Sequence, residues 1–441
     1  MDRLTKTTDI VKAYYAYKRS GDAAPFVKDV CKYFDYIKGQ DISDSDISFL
    51  LFLANEAGVP QYFDLLQSKY NNHEISDENI NLLTLSAFFH DASLIRGDNK
   101  LHRYQKYVLD HFEAAQHNRY VLTAPTSFGK TFLVYEIIKK MDYRNILLVF
   151  PSISLLSENY ARLNEAPEFE EYQIHSLSEE EFATEAKNIF IFTPERYLSF
   201  LDKNSSIRFD FAFVDEVYKI DNSFIIDQET TGENERDTAY RLALEFICQS
   251  SVDMLLAGPY MVLPDLTLVG AASFTNFANE NSFEFLEFTD FEIVDKTFQT
   301  IKGRQHYDID GKIVEIGSIG KPQKISNVIE AISTSDENTI IYCGRKSDTE
   351  SYAKGLLQNQ ELLASFEERC AANTPEIYTA FLQHLESTFG SDWVVLKALK
   401  GRIGIHHSLV PKYIQKEVIS TLFPFAVKIY PPHMKEAVTA S

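Results

Sequence analysis

The sequence predicts an α/β protein in which an N-terminal helical domain precedes a complete parallel-sheet lobe and an incomplete second lobe of the same kind. Apolar residues recur at helical spacing over residues 1–95 of the 441. Short β-branched and aromatic strands then alternate with helices over residues 96–300, and the alternation resumes over residues 323–441. Residues 301–322, which end in Gly-Lys-Pro, are interpreted as a connector between the two lobes.

The helical domain is predicted from apolar stretches at residues 47–53 and 80–89 and from turn signals at residues 20–22 and 58–60. Its first part also carries an aromatic series that could either stack on nucleic-acid bases or pack in a core. Core packing is the favoured interpretation. The series comprises Tyr14, Tyr15, Tyr17, Tyr33, Phe34 and Tyr36.

The first lobe is predicted from five short strands that are separated by helical stretches. Such alternation is typical of a parallel sheet with helices on both faces. The strands are expected at residues 120–122, 146–150, 189–192, 209–214 and 254–256. In the second lobe, a strand is expected at residues 339–344 and a helix at residues 347–357.

Composition limits the class of protein. No apolar run approaches the roughly 18 residues that a membrane span needs, so we expect a cytoplasmic protein with no membrane partner. The four cysteines are widely scattered, which indicates neither a disulfide framework nor a zinc site and favours reduced thiols. A net charge of −21 argues against broad electrostatic attraction to nucleic acid, although a local basic groove is compatible with it.

The segment Ala-Pro-Thr-Ser-Phe-Gly-Lys-Thr at residues 124–131 lies between a predicted strand and an amphipathic helix, which is the setting of a phosphate-binding loop. Backbone N–H groups from Ser127 to Thr131 can wrap phosphates at the positive end of that helix. Gly129 allows the backbone to approach closely, and Lys130 neutralises the outer phosphates. Since Thr131 would offer its hydroxyl to Mg²⁺, the segment predicts binding of a nucleoside triphosphate.

A pair of carboxylates follows the predicted strand at residues 209–214. Asp215 is predicted to hold Mg²⁺ through bound water, and Glu216 to orient or deprotonate the attacking water. Lys130, Asp215 and Glu216 are therefore the predicted catalytic residues, and Thr131 and Asp215 the predicted metal ligands. The alternative is a chance match to the loop pattern beside a solvated carboxylate pair.

Together these segments resemble the superfamily 2 nucleic-acid helicases, in particular the DExH branch that includes the Ski-like enzymes. Residues 124–131 are similar to the Ala-x-Thr-x-x-Gly-Lys-Thr form of the first helicase motif, and residues 101–105 to the adenine-reading segment. The resemblance implies two RecA-like lobes that use ATP and Mg²⁺. Gln105 would then hydrogen-bond the adenine base, unless it is a helix surface residue. The implied nucleotide ligands are Gln105, Thr126, Ser127, Phe128, Gly129, Lys130 and Thr131.

The resemblance also implies contacts with a nucleic-acid backbone. Residues 151–158 and 193–196 are similar to motifs Ia and Ib, which lie at strand ends where helix N-termini offer N–H donors to phosphates. By itself, Thr-Pro-Glu is an ordinary helix start. The implied contacts are Pro151, Ser152, Thr193, Pro194, Arg196 and, in the second lobe, His407.

The second lobe carries two further similarities. Residues 338–352 resemble motif IV, and residues 401–411 resemble the Gly-x-x-x-His-His-x-x-Leu-x-Pro segment of Ski-like helicases, with residues 413–423 as the following helix. The paired His residues suggest a metal at first sight. Because no further ligands stand at suitable spacing, backbone or nucleic-acid contacts are favoured over a metal.

Three departures from the family pattern limit what the resemblance implies. Tyr218 stands where the DExH motif has His, and Ala257-Gly258-Pro259 stands where many relatives have Ser-Ala-Thr. Residues 424–433 match neither motif V nor motif VI, so we expect a natural truncation, a frameshifted tail or one part of a split protein. Because an arginine finger contributes about 10³ to 10⁵ in rate, hydrolysis without a donor in trans should be slow.

As a whole the set looks closest to helicase subunits of bacterial anti-phage defence systems such as Hachiman. This implies DNA or RNA as a partner, with DNA favoured, and a partner protein such as a nuclease effector. Three functions are compatible with the sequence. The first is an ATP-dependent helicase or translocase. The second is a truncated ATP- and nucleic-acid-binding module with little unwinding unless a partner supplies the missing motifs. The third is a phosphate-loop switch that controls a protein partner.

Overall fold

The computed structural model describes residues 2–66, 68, 82–96, 99–217, 235–259, 272–294, 305–309, 312–316, 339–343, 345–407, 409–419 and 424–430. The chain divides into two compact units, Met1–Lys296 and Thr297–Ser441. The finer domain boundaries at residues 95, 300 and 322 stay predictions. The described residues do not include Tyr218, residues 80 and 81, most of the predicted connector, or residues 420–423 and 431–433.

Helices build the N-terminal part of the first unit, as the apolar spacing predicts. They are α1 (Arg3–Ser20), α2 (Ala24–Ile37), α3 (Asp44–Ala57), α4 (Gln61–Leu65) and α5 (Leu82–Leu94). Gly21 and Gly58 end α1 and α3 with φ values of 75° and 76°, a left-handed conformation that glycine adopts without strain. Both predicted turns therefore lie where a helix ends.

Most of the N-terminal aromatic residues pack in a core. Tyr33 and Phe34 are buried, and Tyr14 and Tyr17 pack against the same hydrophobic cluster. Tyr15 differs, because 58% of its surface is exposed. The interpretation as core packing is thus confirmed for these four residues, and the series does not form a continuous stacking surface.

A seven-stranded parallel sheet forms the rest of the first unit, after a short hairpin of β1 (Ile95–Arg96) and β2 (Asn99–Lys100). The strands of the sheet are β3 (Arg119–Thr123), β4 (Asn145–Val149), β5 (Tyr172–His175), β6 (Lys187–Phe192), β7 (Phe209–Val214), β8 (Ser251–Gly258) and β9 (Glu284–Glu287). Their order across the sheet is β5-β6-β4-β7-β8-β3-β9, and every neighbouring pair is parallel. The predicted α/β fold with a RecA-like parallel sheet and a helical region is confirmed.

Helices cover both faces of this sheet, which explains why its central strands are apolar without interruption. In β4, Ile146 and Leu148 face one hydrophobic cluster, while Leu147 and Val149 face another. The helices are α6 (Arg103–His111), α7 (Lys130–Met141), α8 (Ile153–Glu165), α9 (Pro194–Leu201), α10 (Glu235–Ser250) and α11 (Ala272–Glu280). Two strands of this seven-stranded sheet, β5 and β9, were not predicted from the sequence, and they are its two outer strands.

The start of α6 joins the helical domain to the sheet. The backbone N–H of Arg103 donates to the carbonyl of Gly58 at 2.8 Å. Its guanidinium donates to the carbonyls of Asn55 at 2.6 Å and Glu56 at 3.0 Å, at the end of α3. These bonds add to the capping of the last turn of α3, where the carbonyl of Asn55 also accepts the N–H of Gly58 at 3.1 Å. One hydrophobic cluster continues across the junction.

The second unit contains a small parallel sheet of three strands within the described residues. The strands are β12 (Thr339–Tyr342), β13 (Ile403–Ile405) and β14 (Val427–Tyr430), and β14 lies in the middle. The accompanying helices are α12 (Lys346–Leu356), α13 (Gln360–Ala371), α14 (Ile377–Phe389), α15 (Val394–Lys400) and α16 (Lys412–Ile419).

Two findings in the second unit differ from the sequence interpretation. The predicted connector contains an antiparallel hairpin of β10 (Gln305–Ile309) and β11 (Lys312–Ile316). The segment expected to be a tail supplies β14, whose Val427 and Ile429 are fully buried between the neighbouring strands. Those residues therefore belong to the core of the second unit.

We expect Gly58→Ala to lower the free energy of unfolding by more than Gly21→Ala, although both glycines are left-handed. The shared backbone strain costs about 1–2 kcal/mol. At Gly58 a new Cβ would also lie 2.7 Å from the Cβ of Arg103, whereas at Gly21 it would meet no atom within 4 Å. The added crowding should cost roughly 1–3 kcal/mol more. Urea unfolding followed by circular dichroism measures the difference, and equal losses would contradict the proposed junction.

Candidate nucleotide-binding site

The predicted site residues of the first unit lie along one edge of the sheet. Because all strands are parallel, the segments that follow them emerge at the same carboxyl edge. Residues 124–131 follow β3, and Asp215 and Glu216 follow β7. Only β8 lies between these two strands, so the loop and the carboxylates stand two strand spacings apart, about 10 Å.

The segment at residues 124–131 folds as a loop into a helix. Thr126–Phe128 form a single 3₁₀ turn, Gly129 adopts φ 76°, and α7 begins at Lys130. Glycine is required at position 129, because a Cβ there would lie 2.6 Å from Nε2 of Gln105 in addition to the strain of a positive φ. The loop therefore places the N-terminus of α7, a helix of 12 residues, at the carboxyl edge of the sheet.

Gln105 is buried against the loop and is not a surface residue. Its Nε2 donates to the carbonyl of Phe128 at 3.0 Å, and its Oε1 accepts from the backbone N–H of His102 at 3.1 Å. An amide has two donors and two acceptor sites, so one N–H and one lone pair are left for a ligand after these two bonds. The position is compatible with the predicted contact to a base.

His102, which sequence patterns did not single out, contacts the same carbonyl of Phe128 as Gln105 does. Its Nδ1 accepts the backbone N–H of Gln105 at 3.1 Å and caps α6, which requires the N–H to be on Nε2. That Nε2 lies 3.1 Å from the carbonyl oxygen of Phe128. Burial lowers the pKa of His102 to about 4, so the ring is neutral near pH 7. The capping-box pattern was missed because His stands where Ser or Thr is usual.

The backbone and ring of Phe128 anchor the loop. Its N–H donates to the carbonyl of Pro125 at 3.0 Å, and its ring packs at 4.8 Å from the ring of His102 and 5.3 Å from that of Phe288. The bond to Pro125 occupies the N–H of Phe128 that was predicted to face phosphate. Phe128 also lines a pocket that lies beside the loop.

Two side chains in the loop fit a phosphate ligand. The ammonium group of Lys130 is drawn into the loop, where it donates to the carbonyls of Ala124 at 3.1 Å and Pro125 at 3.0 Å. Oγ of Ser127 is buried and makes no hydrogen bond within the part of the chain that the structure describes. A positive charge, a hydroxyl and a helix N-terminus on one loop form a donor set for an anion.

Asp215 and Glu216 form a tight turn that is held from two sides. Glu216 has φ 54°, which costs a non-glycine residue about 1–2 kcal/mol. Its N–H donates to Oδ1 of Asp215 at 3.0 Å, and the N–H of Asp215 donates to the carbonyl of Val149 at 3.0 Å. The hydroxyl of Tyr240, a buried residue of α10, donates to the carbonyl of Asp215. The sequence could not reveal Tyr240, which lies 25 residues further along the chain.

A pocket of about 330 Å³ lies beside the loop, between it and the helical domain. This volume falls within the range of about 300–1,000 Å³ that is typical of small-molecule sites. Five aromatic or aliphatic residues and five polar residues line it, together with one glycine. The lining residues are Val59, Gln61, Tyr62, Lys100, His102, Gln105, Ser127, Phe128, Gly129, Phe132 and Ile293.

The residues predicted to contact nucleic acid lie at the same edge and serve as helix starts. The hydroxyls of Ser152 and Thr193 cap α8 and α9 by accepting backbone N–H groups at 3.4 Å. Pro194 is buried at the first position of α9, and Pro151 is buried after β4. Arg196 donates to the carbonyl of Ser176 at 2.9 Å, which holds α9 to the segment after β5.

His407 belongs to the second unit, where it follows β13. It is buried, with Nε2 3.6 Å from Oε1 of Glu350, and its Nδ1 accepts the backbone N–H of Leu409 at 3.3 Å. Burial lowers the pKa of the adjacent His406 to about 4. Among the described residues no group of three or more His, Cys, Asp or Glu is arranged to hold a metal ion, so the His pair is not part of such a group.

Across the helices that the structure describes, none is both long and apolar enough to cross a membrane. All four cysteines are buried free thiols, as their scattered positions predict.

Residues 98–247 match the family described as Type III restriction enzyme, res subunit. The match begins before α6 and ends in α10, so it contains the loop, the carboxylate pair and Tyr240. The chain is also 25% identical over 317 residues to "Anti-bacteriophage protein B" of Escherichia coli strain K12. That alignment covers 71% of this chain but only 37% of the relative. The two similarities support a superfamily 2 helicase-like domain in the first unit, and neither supports the Ski-like branch or Hachiman in particular.

Proposed function

We propose that this protein is an ATP-dependent helicase or translocase of superfamily 2 that acts on nucleic acid. The observation that carries the proposal is the pairing of two elements at one sheet edge. A glycine-dependent loop starts a helix after β3, and the Asp215–Glu216 turn follows β7 two strands away. The helicase-like match over residues 98–247 contains both elements.

The chain has the groups to hold Mg-ATP. The loop N–H groups, the hydroxyl of Ser127 and the ammonium of Lys130 would bind the phosphates. Thr131 and Asp215 supply the oxygen donors that Mg²⁺ prefers, and the ion usually keeps several waters beside so few protein ligands. When bound, Mg²⁺ would offset negative charge on the phosphates.

Glu216 is proposed to orient the attacking water or accept its proton. The backbone at Glu216 is left-handed, with φ 54°, and this residue follows the end of β7 at Val214 by two positions. Tyr240 fixes the carbonyl immediately before it. We therefore propose Tyr240 as a positioning residue for the carboxylate pair.

Nucleic acid is proposed to bind along the carboxyl edge, at the N-termini of α8 and α9. Helix N-termini offer N–H groups to backbone phosphates, and Ser152 and Thr193 set where these helices begin. DNA is favoured over RNA. A role in anti-phage defence is a further proposal whose support is the name of the E. coli relative. A partner protein such as a nuclease effector is also proposed, but that name does not bear on it.

The second candidate is a nucleotide- and nucleic-acid-binding module that unwinds little without a partner. It is motivated by residues 427–430, which match neither motif V nor motif VI and form the middle strand, β14, of the small sheet. The two candidates differ in strand displacement by the purified chain. Displacement that requires ATP supports the motor, and tight ATP binding without turnover or displacement supports the module.

Lys130→Ala and Glu216→Gln should each abolish nucleic-acid-stimulated ATP hydrolysis for different reasons. Loss of the ammonium should weaken ATP binding, whereas loss of the carboxylate should leave binding intact and reduce kcat by about 10² or more. Lys203→Ala is the matched control, because this lysine is exposed and pairs only loosely with Glu179 at 3.5 Å. Wild-type turnover in either site variant would refute the proposed hydrolysis site.

Tyr240→Phe should lower kcat by about tenfold with little change in KM, since it removes one hydrogen bond to the carboxylate turn and keeps the packed ring. Tyr197→Phe is its control. Tyr197 is buried in the same hydrophobic cluster, but its hydroxyl pairs with Ser250 at 3.1 Å. If both variants lose kcat equally, Tyr240 acts through general packing and not through the turn.

A further inference from the structure

The pocket beside the phosphate loop takes part of its wall from the helical domain. Val59, Gln61 and Tyr62 line it from the turn after α3 and the start of α4. The opposite side consists of Gln105 and the loop residues. Because Gly58 accepts the backbone N–H of Arg103 at 2.8 Å, the turn that carries Val59 is fixed to the start of α6. A ligand in this pocket would contact both parts of the first unit.

Tyr62 is held at both ends of its side chain. Its ring packs on Phe34 of α2 with centroids 5.7 Å apart, and its hydroxyl donates to the carbonyl of Ile293. Ile293 itself lines the pocket, and the preceding Glu292 pairs with Lys28 of α2 at 3.1 Å. Since two elements restrain the ring, it offers a preformed aromatic surface at little cost in entropy.

The charge balance of the pocket favours a neutral ligand over an anion. Its lysine, Lys100, bonds to the carboxylates of Asp64 at 2.7 Å and Asp91 at 2.9 Å, so two negative charges offset its own. The amide of Gln61 donates to the carbonyl of Lys100 at 3.0 Å. Besides the Ser127 hydroxyl on the loop side, the groups left for recognition are the aromatic rings and the remaining N–H and lone pair of Gln105. The rings and the amide suit a flat heterocycle with its own donors and acceptors.

We infer that this pocket receives the purine base of the nucleotide and that the helical domain, through Tyr62, supplies one of its walls. The inference rests on the proposed function, which places the phosphates on the adjoining loop. Base binding and docking of the helical domain are then linked, because a ligand that contacts both parts stabilises their association. Tyr62 is thereby a specificity-determining residue that lies outside the family match at residues 98–247.

The test compares two probes on the full chain by calorimetric titration with Mg²⁺ present. ATP has both a base and phosphates, whereas inorganic tripolyphosphate has phosphates alone. Tyr62→Ala and Tyr62→Leu should weaken ATP binding about tenfold, since stacking on an aromatic ring is lost, and should leave tripolyphosphate binding unchanged. Tyr62→Phe, which keeps the ring, should bind ATP within about twofold of wild type. The leucine variant retains most of the apolar volume if the alanine variant fails to fold.

Tyr15→Ala is the control for loss of a tyrosine from the helical domain, because Tyr15 is largely exposed on α1. Wild-type ATP affinity in Tyr62→Leu would overturn the inference while the phosphate loop still functions. Equal weakening of ATP and tripolyphosphate would also overturn it, since Tyr62 would then act on the loop itself. If the unmodified chain binds neither probe, the proposed function fails and the inference fails with it.

Discussion

The phosphate loop depends on a single carbonyl oxygen, that of Phe128, which receives both His102 Nε2 and Gln105 Nε2. Both donors stand at the start of α6, His102 as its N-cap and Gln105 in its first turn, and Arg103, which lies between them in sequence, bonds to the end of α3. A few consecutive residues thus connect the helical domain, the sheet and the loop. The arrangement requires a neutral His102, because a doubly protonated ring could no longer accept the N–H of Gln105. Burial provides that condition by lowering the pKa of the ring.

The carboxylate turn is built on a different principle. Glu216 holds a backbone conformation that a non-glycine residue adopts only when its surroundings impose it. Here the neighbouring strand and Tyr240 impose it, through the N–H and the carbonyl of Asp215. The loop after β3 instead uses glycine, which avoids strain but leaves no side chain to act. The role proposed for Glu216 needs a carboxylate, which glycine lacks, so contacts elsewhere in the fold have to offset the cost of its conformation.

The features that were predicted from the sequence are those set by short stretches of chain. Five parallel strands were located correctly because their apolar runs are buried on both faces, and the loop because its glycine, lysine and threonine are adjacent. The outer strands β5 and β9 were missed, since segments such as Glu284–Glu287 have polar ends and only one covered side. Tyr240 was missed because its partner is 25 residues away, and no local pattern records such a contact. The cap formed by His102 is local, but His stands there in place of the usual Ser or Thr. The hairpin in the predicted connector shows that a Gly-rich stretch near a domain boundary can still form strands.

The position of β14 in the second unit has a consequence for how the chain acquires its structure during synthesis. Among the described residues, β12 and β13 do not pair with each other, and each pairs with β14, which is made last of the three. A ribosome that has released residues 339–405 has therefore delivered both flanking strands without the one that joins them. The strands that the structure describes in the first unit are complete by residue 287, so this unit can fold before the second sheet has been made. The second sheet has to wait for residues 427–430, and until they emerge its two flanking strands keep unpaired backbone groups and apolar side chains that a chaperone can protect.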